Sequence, residues 1–220
     1  MTTQDAPDRQ LRVDAERNRA RILEAASVAF ARDGLEVPLE AVADEAGVGI
    51  ATLYRRFPTR DDLIAACFER RLADYADAAE EALGAADGWS GFAVYVERIC
   101  AMQAADRGLM DVLTRSFPRA GALEAHRERG YAAMVRVIER AQAEGTLRAD
   151  FVPEDIILIL LANSGVVQGM GDAAPDAWRR SVGILLDGVR VDGATDLATA
   201  PTPHQVVRAM RRLGRRRAAS

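Results

Sequence analysis

The 220-residue sequence predicts an all-α protein, with a three-helix N-terminal domain containing a helix-turn-helix and a C-terminal helical bundle. Three observations lead there. Apolar residues recur at three- and four-residue spacing through most of the chain. Runs of β-branched residues are few, and aromatic residues make up only 5% of a composition rich in Ala, Leu, Arg and Glu. Gly, Pro and Asp punctuate the apolar stretches at helix-length intervals, and a 49% hydrophobic content supports a buried core.

The segment before Leu11 is polar and carries Pro7, so residues 1–12 read as a flexible basic arm. A first helix runs from about Asp14 to Asp33, with Ile22, Leu23, Ala26, Ala29 and Phe30 on one face and Gly34 as its stop. Pro38 suits the first turn of a short second helix through Leu39, Val42 and Ala43, which Gly47 ends. A third short helix covers about Ile50 to Arg56 and halts before Pro58. Thr59 and Asp62 stand at capping-box spacing and open a helix that continues to Leu83, before Gly84.

Further helices are expected at about Trp89–Arg107, Leu109–Phe117, Ala120–Glu144, Pro153–Met170 and Pro175–Val189, a bundle pattern. After Val191 the composition becomes that of a linker, followed by a basic amphipathic segment from His204 to Arg217. The resulting division is an arm at 1–12, a helix-turn-helix domain at 13–58, a connecting helix at 59–84, a dimerisation and ligand-binding domain at 85–191, and a linker with a basic tail at 192–220.

The net charge of −4 argues against indiscriminate nucleic-acid coating, but a specific reader needs only local charge. Five arginines lie between Arg9 and Arg21, and Arg55, Arg56 and Arg60 follow with no acid among them. Cys67 and Cys100 have neither disulfide-framework nor metal-site spacing, so reduced core thiols are expected, with no metal and no cofactor. The longest apolar run, Ile156 to Ala162, falls short of the roughly 20 residues of a membrane span, and the chain does not open like a signal peptide. A cytoplasmic protein without a membrane partner is the expectation. An enzyme is not expected: the GVG near Val48 follows a helix rather than a strand, GWSG at 88–91 is no nucleophile elbow, and His126 and His204 are the only histidines.

Residues 43–57 read ADEAGVGIATLYRRF, and a helix-turn-helix explains most of them. Gly47 supplies a left-handed turn, Val48 fills the space between the helices, and Leu53 anchors the second one. Gly49, Ile50, Ala51, Thr52, Tyr54, Arg55 and Arg56 are left to face outward or flank, with hydroxyls and guanidinium groups for phosphates or guanine and apolar groups for thymine methyls. Core aromatics and a solvated arginine face fit the same residues.

Three segments resemble the DNA-binding domain of the tetracycline-repressor (TetR) family: RILEAASVAFARDG at 21–34, the pattern of Gly47, Val48, Thr52, Leu53, Tyr54 and Phe57, and Pro58 to Leu63. The resemblance implies that Ile50, Ala51 and Thr52 approach bases or the groove wall and that Tyr54 and Arg60 meet phosphates. It places Arg56 near the DNA backbone, and Arg12, Arg17 and Arg19 at the arm and the start of the first helix. Gly49 stands where the family usually has serine or threonine, and Pro38 where a threonine often opens the second helix. The resemblance also implies a homodimer on a palindromic operator, with recognition helices about 34–36 Å apart, and an unidentified small-molecule effector.

Beyond about residue 85 the resemblance is one of architecture. The resemblance implies a four-helix dimer interface formed by the C-terminal bundle, expected at Ile157, Leu161, Ser164, Gly165, Gln168, Trp178, Val182 and Leu185; an internal core helix is the alternative. The ligand pocket is expected around Phe92, Tyr95, Met102, Gln103 and Met110, and further at Leu113, Phe117, Met134 and Asn163; each also suits a plain core position. His126 reads as a surface residue. The basic tail adds nonspecific DNA attraction or is a disordered end. Two other functions stay open: a helical interaction module that reads no DNA, and an activator or ligand-independent regulator.

Overall fold

The computed structural model describes residues 5–105, 121–192 and 194–217, with side chains described from residue 15 onward except at Arg211 and from Leu213. The expected helix at Leu109–Phe117, and with it Met110, Leu113 and Phe117, lies outside the described residues, as does the side chain of Arg12. The helices are α1 (Asp5–Asp33), α2 (Leu39–Glu45), α3 (Ile50–Arg56), α4 (Arg60–Ala82) and α5 (Gly88–Ala105). They continue with α6 (Gly121–Ala143), α7 (Pro153–Met170), a 3₁₀ turn (Gly171–Ala173), α8 (Ala177–Gly188) and α9 (Pro203–Arg217). Apart from helices, the described residues contain one isolated antiparallel bridge, Leu147 to Arg190.

Two expectations about the termini are corrected. Residues 5–12, read as an arm, continue α1; Pro7 is tolerated because it sits in the first turn, where a backbone N–H has no helical partner anyway. The C-terminal tail, for which disorder was one reading, is helical from Pro203, and buried Met210 with half-buried Val206 holds it to the C-terminal core. The linker before it is also tied down: buried Arg148 donates to Asp150 and to the Thr195 carbonyl at 2.7 Å. Pro38 is the N-cap of α2 rather than part of its first turn.

Two hydrophobic cores organise the chain. The first joins Ile22, Ala26 and Phe30 of α1 to Val42, Leu53 and Phe57, and to Leu63, Ile64, Phe68 and Leu72 of α4. The second gathers Tyr75, Ala79 and Ala82 of α4 with residues of α5 to α9. Thus α4 changes cores between Leu72 and Tyr75. It starts from the expected capping box, Thr59 Oγ1 accepting from the Asp62 N–H at 3.2 Å and the Asp62 carboxylate accepting from the Thr59 N–H at 2.9 Å.

At its other end α4 is held by α6, its most extensive neighbour. Arg140 donates to the Leu83 and Ala85 carbonyls, each at 3.0 Å, and pairs with Glu144, whose other oxygen accepts from the Gly88 N–H. Arg129 bridges to Asp77 at 2.8 Å and Glu80 at 2.9 Å. The glycines of GWSG have a packing role: a Cβ on Gly88 would lie 2.8 Å from the Ala141 Cα, and one on Gly91 would lie 2.5 Å from the Ala82 oxygen. Burial pushes the Cys67 thiol up to about 11 and the Cys100 thiol up to about 12, so both stay protonated at neutral pH.

One region, Pro153–Ala173, is long and apolar enough to cross a membrane by length and composition, and only 22% of its apolar window is buried. Its inner face nevertheless belongs to the second core through Ile156, Ile159 and Leu160. The outer face carries exposed Leu158 beside Gly165 and Gly169, and Met170 is exposed at the helix end.

Arg140→Ala leaves the Leu83, Ala85 and Ala86 carbonyls just beyond α4 without their charged donor and should cost about 1–2 kcal/mol in urea denaturation. Arg98→Ala, which breaks only an exposed pair with Glu81, should cost less than about 1 kcal/mol. Equal losses would show that Arg140 is not a clamp.

Candidate DNA-binding surface

The turn between α2 and α3 is built by backbone bonds before any function is considered. Gly47 adopts φ +61°, the Val48 N–H reaches back to the Ala43 oxygen and the Gly47 N–H to the Asp44 oxygen, both at 3.0 Å. That double return is a Schellman motif, which needs a residue free to enter the left-handed region. Arg21 of α1 completes the helix end by donating to the Ala46 and Gly47 carbonyls at 2.5 and 2.9 Å. Sequence reading counted Arg21 only as part of a basic cluster; its guanidinium instead locks α1 to the turn.

With the turn set, helical geometry sorts α3 into two faces. Leu53 is fully buried and Phe57 is 4% exposed, while Tyr54 is 45% exposed and Ala51, Arg55 and Arg56 share the outer side. Ile50 and Thr52 are half-buried at the margin. Gly49 is the N-cap, with extended backbone and no side-chain cap bond, and open space surrounds the position of its missing Cβ. Arg17 and Arg19 are exposed on α1, and the Arg19 guanidinium lies 5.8 Å from the Phe57 ring centre. This contact sets one α1 arginine beside the end of α3. Arg60 is placed differently from a plain phosphate contact, because its Nη1 donates to the Leu35 and Val37 carbonyls at 2.8 and 2.6 Å.

Among the described residues, those expected at a ligand pocket are placed in several different surroundings. Phe92 packs edge-on against Phe151 with ring centres 5.2 Å apart, and the Tyr95 hydroxyl donates to that of Tyr75 at 3.0 Å. Both are fully buried core. Gln103 and Asn163 do meet: Asn163 Nδ2 donates to Gln103 Oε1 at 2.7 Å and to the Cys100 carbonyl at 3.1 Å. The pair keeps one buried donor, Gln103 Nε2, and one buried acceptor, Asn163 Oδ1, without partners among the described residues. Met102, next in sequence to Gln103, packs against both cores, and Met134 faces α9.

Among the expected interface residues, Trp178 and Val182 are corrected: they are 6% and 1% exposed and face inward to the protein's own second core. One helical face cannot serve both roles, and α8 turns Ile184 outward instead, at 62% exposure. Gly165 and Gln168 are exposed, Ile157, Leu161, Ser164 and Leu185 half-buried, and Gln168 Nε2 donates to Ser164 Oγ along the outer face. Leu158, Met170 and Ile184 were not singled out from the sequence; a helical projection of α7 groups Leu158 with Gly165 and Gly169, while Met170 is exposed at the helix end.

Comparison with known proteins follows the same division. The model of the family described as bacterial regulatory proteins, tetR family, matches residues 22–67, and that of an SbtR-like transcriptional regulator C-terminal domain matches residues 89–191. The HTH-type transcriptional repressor SCO4008 of Streptomyces coelicolor is 26% identical over 77% of this chain and 93% of its own length. The TetR transcription regulatory protein from Mycobacterium vanbaalenii is 34% identical, covering 82% of this chain and 99% of that one, with a TM-score of 0.49. The ketosteroid transcriptional regulator KstR2 of Mycobacterium tuberculosis shares the fold at 19% identity, with a TM-score of 0.58 over 78% of this chain and 94% of that one.

The two glycines at the turn should respond in opposite directions. Gly47→Ala places a Cβ 2.5 Å from Arg21 Nη2 at positive φ and should destabilise the fold by about 1–3 kcal/mol. Gly49→Ser adds a capping hydroxyl into open space and should stabilise by a few tenths of a kcal/mol. Guanidinium denaturation of the three proteins checks both signs.

Proposed function

Because the chain belongs to the TetR family of bacterial regulatory proteins, we propose that it acts as a homodimeric repressor, released from a palindromic operator by a small-molecule effector. That it is a DNA-binding transcriptional regulator follows from the family; the residues and the switch are the proposal. The observation that carries it is the division of α3, whose Leu53 and Phe57 are buried while Tyr54, Arg55 and Arg56 stand exposed beside the arginines of α1. A helix held this way presents hydroxyl and guanidinium groups to a major groove and its flanking phosphates. Ala51 and Ile50 supply the apolar contact to a thymine methyl, and Thr52 and Tyr54 the hydroxyls.

Dimerisation pairs the outer faces of α7 and α8 across a two-fold axis. Leu158 and Ile184 expose large apolar side chains on these helices, and the small residues Gly165 and Gly169, with open space around them, allow helices to approach closely. The effector acts at the junction of α5 and α7, where Gln103 and Asn163 hold one unmet donor and one unmet acceptor. Met102 touches both cores from the same turn of α5. A ligand that binds better when this junction is rearranged lowers operator affinity by its differential binding energy.

Titration against DNA flanking the gene, at several salt concentrations, tests the reading. We expect a palindromic footprint, and a fall of about one in the slope of log affinity against log salt for Arg56→Ala per bound chain. Tyr54→Ala should weaken operator binding by about tenfold or more while leaving the melting temperature nearly unchanged. Binding that ignores sequence, or that survives both substitutions, would sink the assignment of α3 as the reading helix.

A further inference from the structure

A cavity of about 450 Å³ lies between α6, α7 and α9, lined by neither Gln103 nor Asn163. Its size falls in the range of about 300–1,000 Å³ typical of small-molecule sites. The floor is apolar: Met134 from α6, Ile157 from α7, and Val206 and Met210 from α9. Tyr75 closes it from α4, its hydroxyl accepting from that of Tyr95 at 3.0 Å. The charged groups lie at the rim.

That rim is acidic. Among the described residues Arg127 is the one basic group lining the cavity, and it pairs with Glu124 at 3.2 Å. Glu128 and Glu154 also line it, and neither takes part in an ion pair among the described residues. The position of Glu154 in the first turn of α7 suits the helix dipole, which accounts for that carboxylate without a ligand. Glu128 stands exposed in the body of α6. Tyr131 is 55% exposed at the same rim, and an aromatic ring beside carboxylates attracts a cation. Arg208 and Arg212 of α9 are exposed and do not line the space.

We propose that this cavity is a binding site for a lipophilic organic cation, its apolar body on the Met134, Ile157, Val206 and Met210 floor and its charge at Glu128 and Glu154. The placement gives the site a route to the DNA-binding domain. Leu123 of α6 is buried in the first core, and the adjacent Glu124 already lines the cavity. One helix thus meets both the ligand and the DNA-binding half. Because α9 supplies a wall, occupancy also stabilises the docked C-terminal helix by mass action.

Tetraphenylphosphonium and its isosteric anion tetraphenylborate separate charge from size. Calorimetric titration of the full chain should show one cation bound per protomer, with the anion at least about tenfold weaker. Glu128→Gln with Glu154→Gln should weaken the cation by about tenfold. Val207→Trp, at an exposed wall position where folding is not at risk, should abolish binding by filling the space. Equal binding of both ions, no binding of the cation, or binding indifferent to Val207→Trp would each overturn the proposal. The titration does not depend on DNA: cation binding without operator binding would sustain this site and defeat the reading of α3, and the reverse would do the opposite.

Discussion

The structure depends on α4 being buried twice. Over 23 residues its first half completes the DNA-binding core with Leu63, Ile64, Phe68 and Leu72, and its second half enters the C-terminal core with Tyr75, Ala79 and Ala82. A helix cannot bend sharply without losing backbone bonds, so a displacement at one end is carried to the other. Both ends are fixed by specific chemistry. The Thr59–Asp62 box starts the helix, and Arg140 and Glu144 of α6 secure the chain where it leaves.

Among the described residues, two apolar side chains add a second link between the halves. Leu123 reaches the first core from α6, and Met102 touches both cores from α5. Neither would hold two domains together alone. Added to α4, they make the relative position of the domains sensitive to the packing of α5, α6 and α7. Gln103 Nε2 and Asn163 Oδ1, buried and without partners among the described residues, lie at that packing, where satisfying such a donor or acceptor is worth about 1–3 kcal/mol.

The long apolar helix α7 illustrates how one sequence pattern can have several meanings. Its length and composition meet those of a membrane span, yet Ile156, Ile159 and Leu160 are core and Asn163 is hydrogen-bonded across to α5. Its remaining apolar surface faces outward with Gly165 and Gly169. Apolarity on all sides thus reflects one face for the protein's own core and another available to a partner helix.

Local chemistry made much of the fold legible from residue order. Gly47 in the left-handed region, the Thr59–Asp62 box, Pro153 at the start of α7 and the periodic apolar residues of α1 act within a few positions of themselves, so their consequences are written where they stand. The outward residues of α3 followed from Leu53 alone, because helix geometry assigns the rest. Long-range contacts were not legible. Only the tertiary structure decided that Arg21 closes the turn rather than joining a basic face, that Arg60 bonds the Leu35 and Val37 carbonyls, and that Trp178 and Val182 face inward. The docking of α9 and the cavity it encloses belong to the same class. Such partners lie tens of residues away, and the chain's periodicity records that a face is apolar without recording what it will meet.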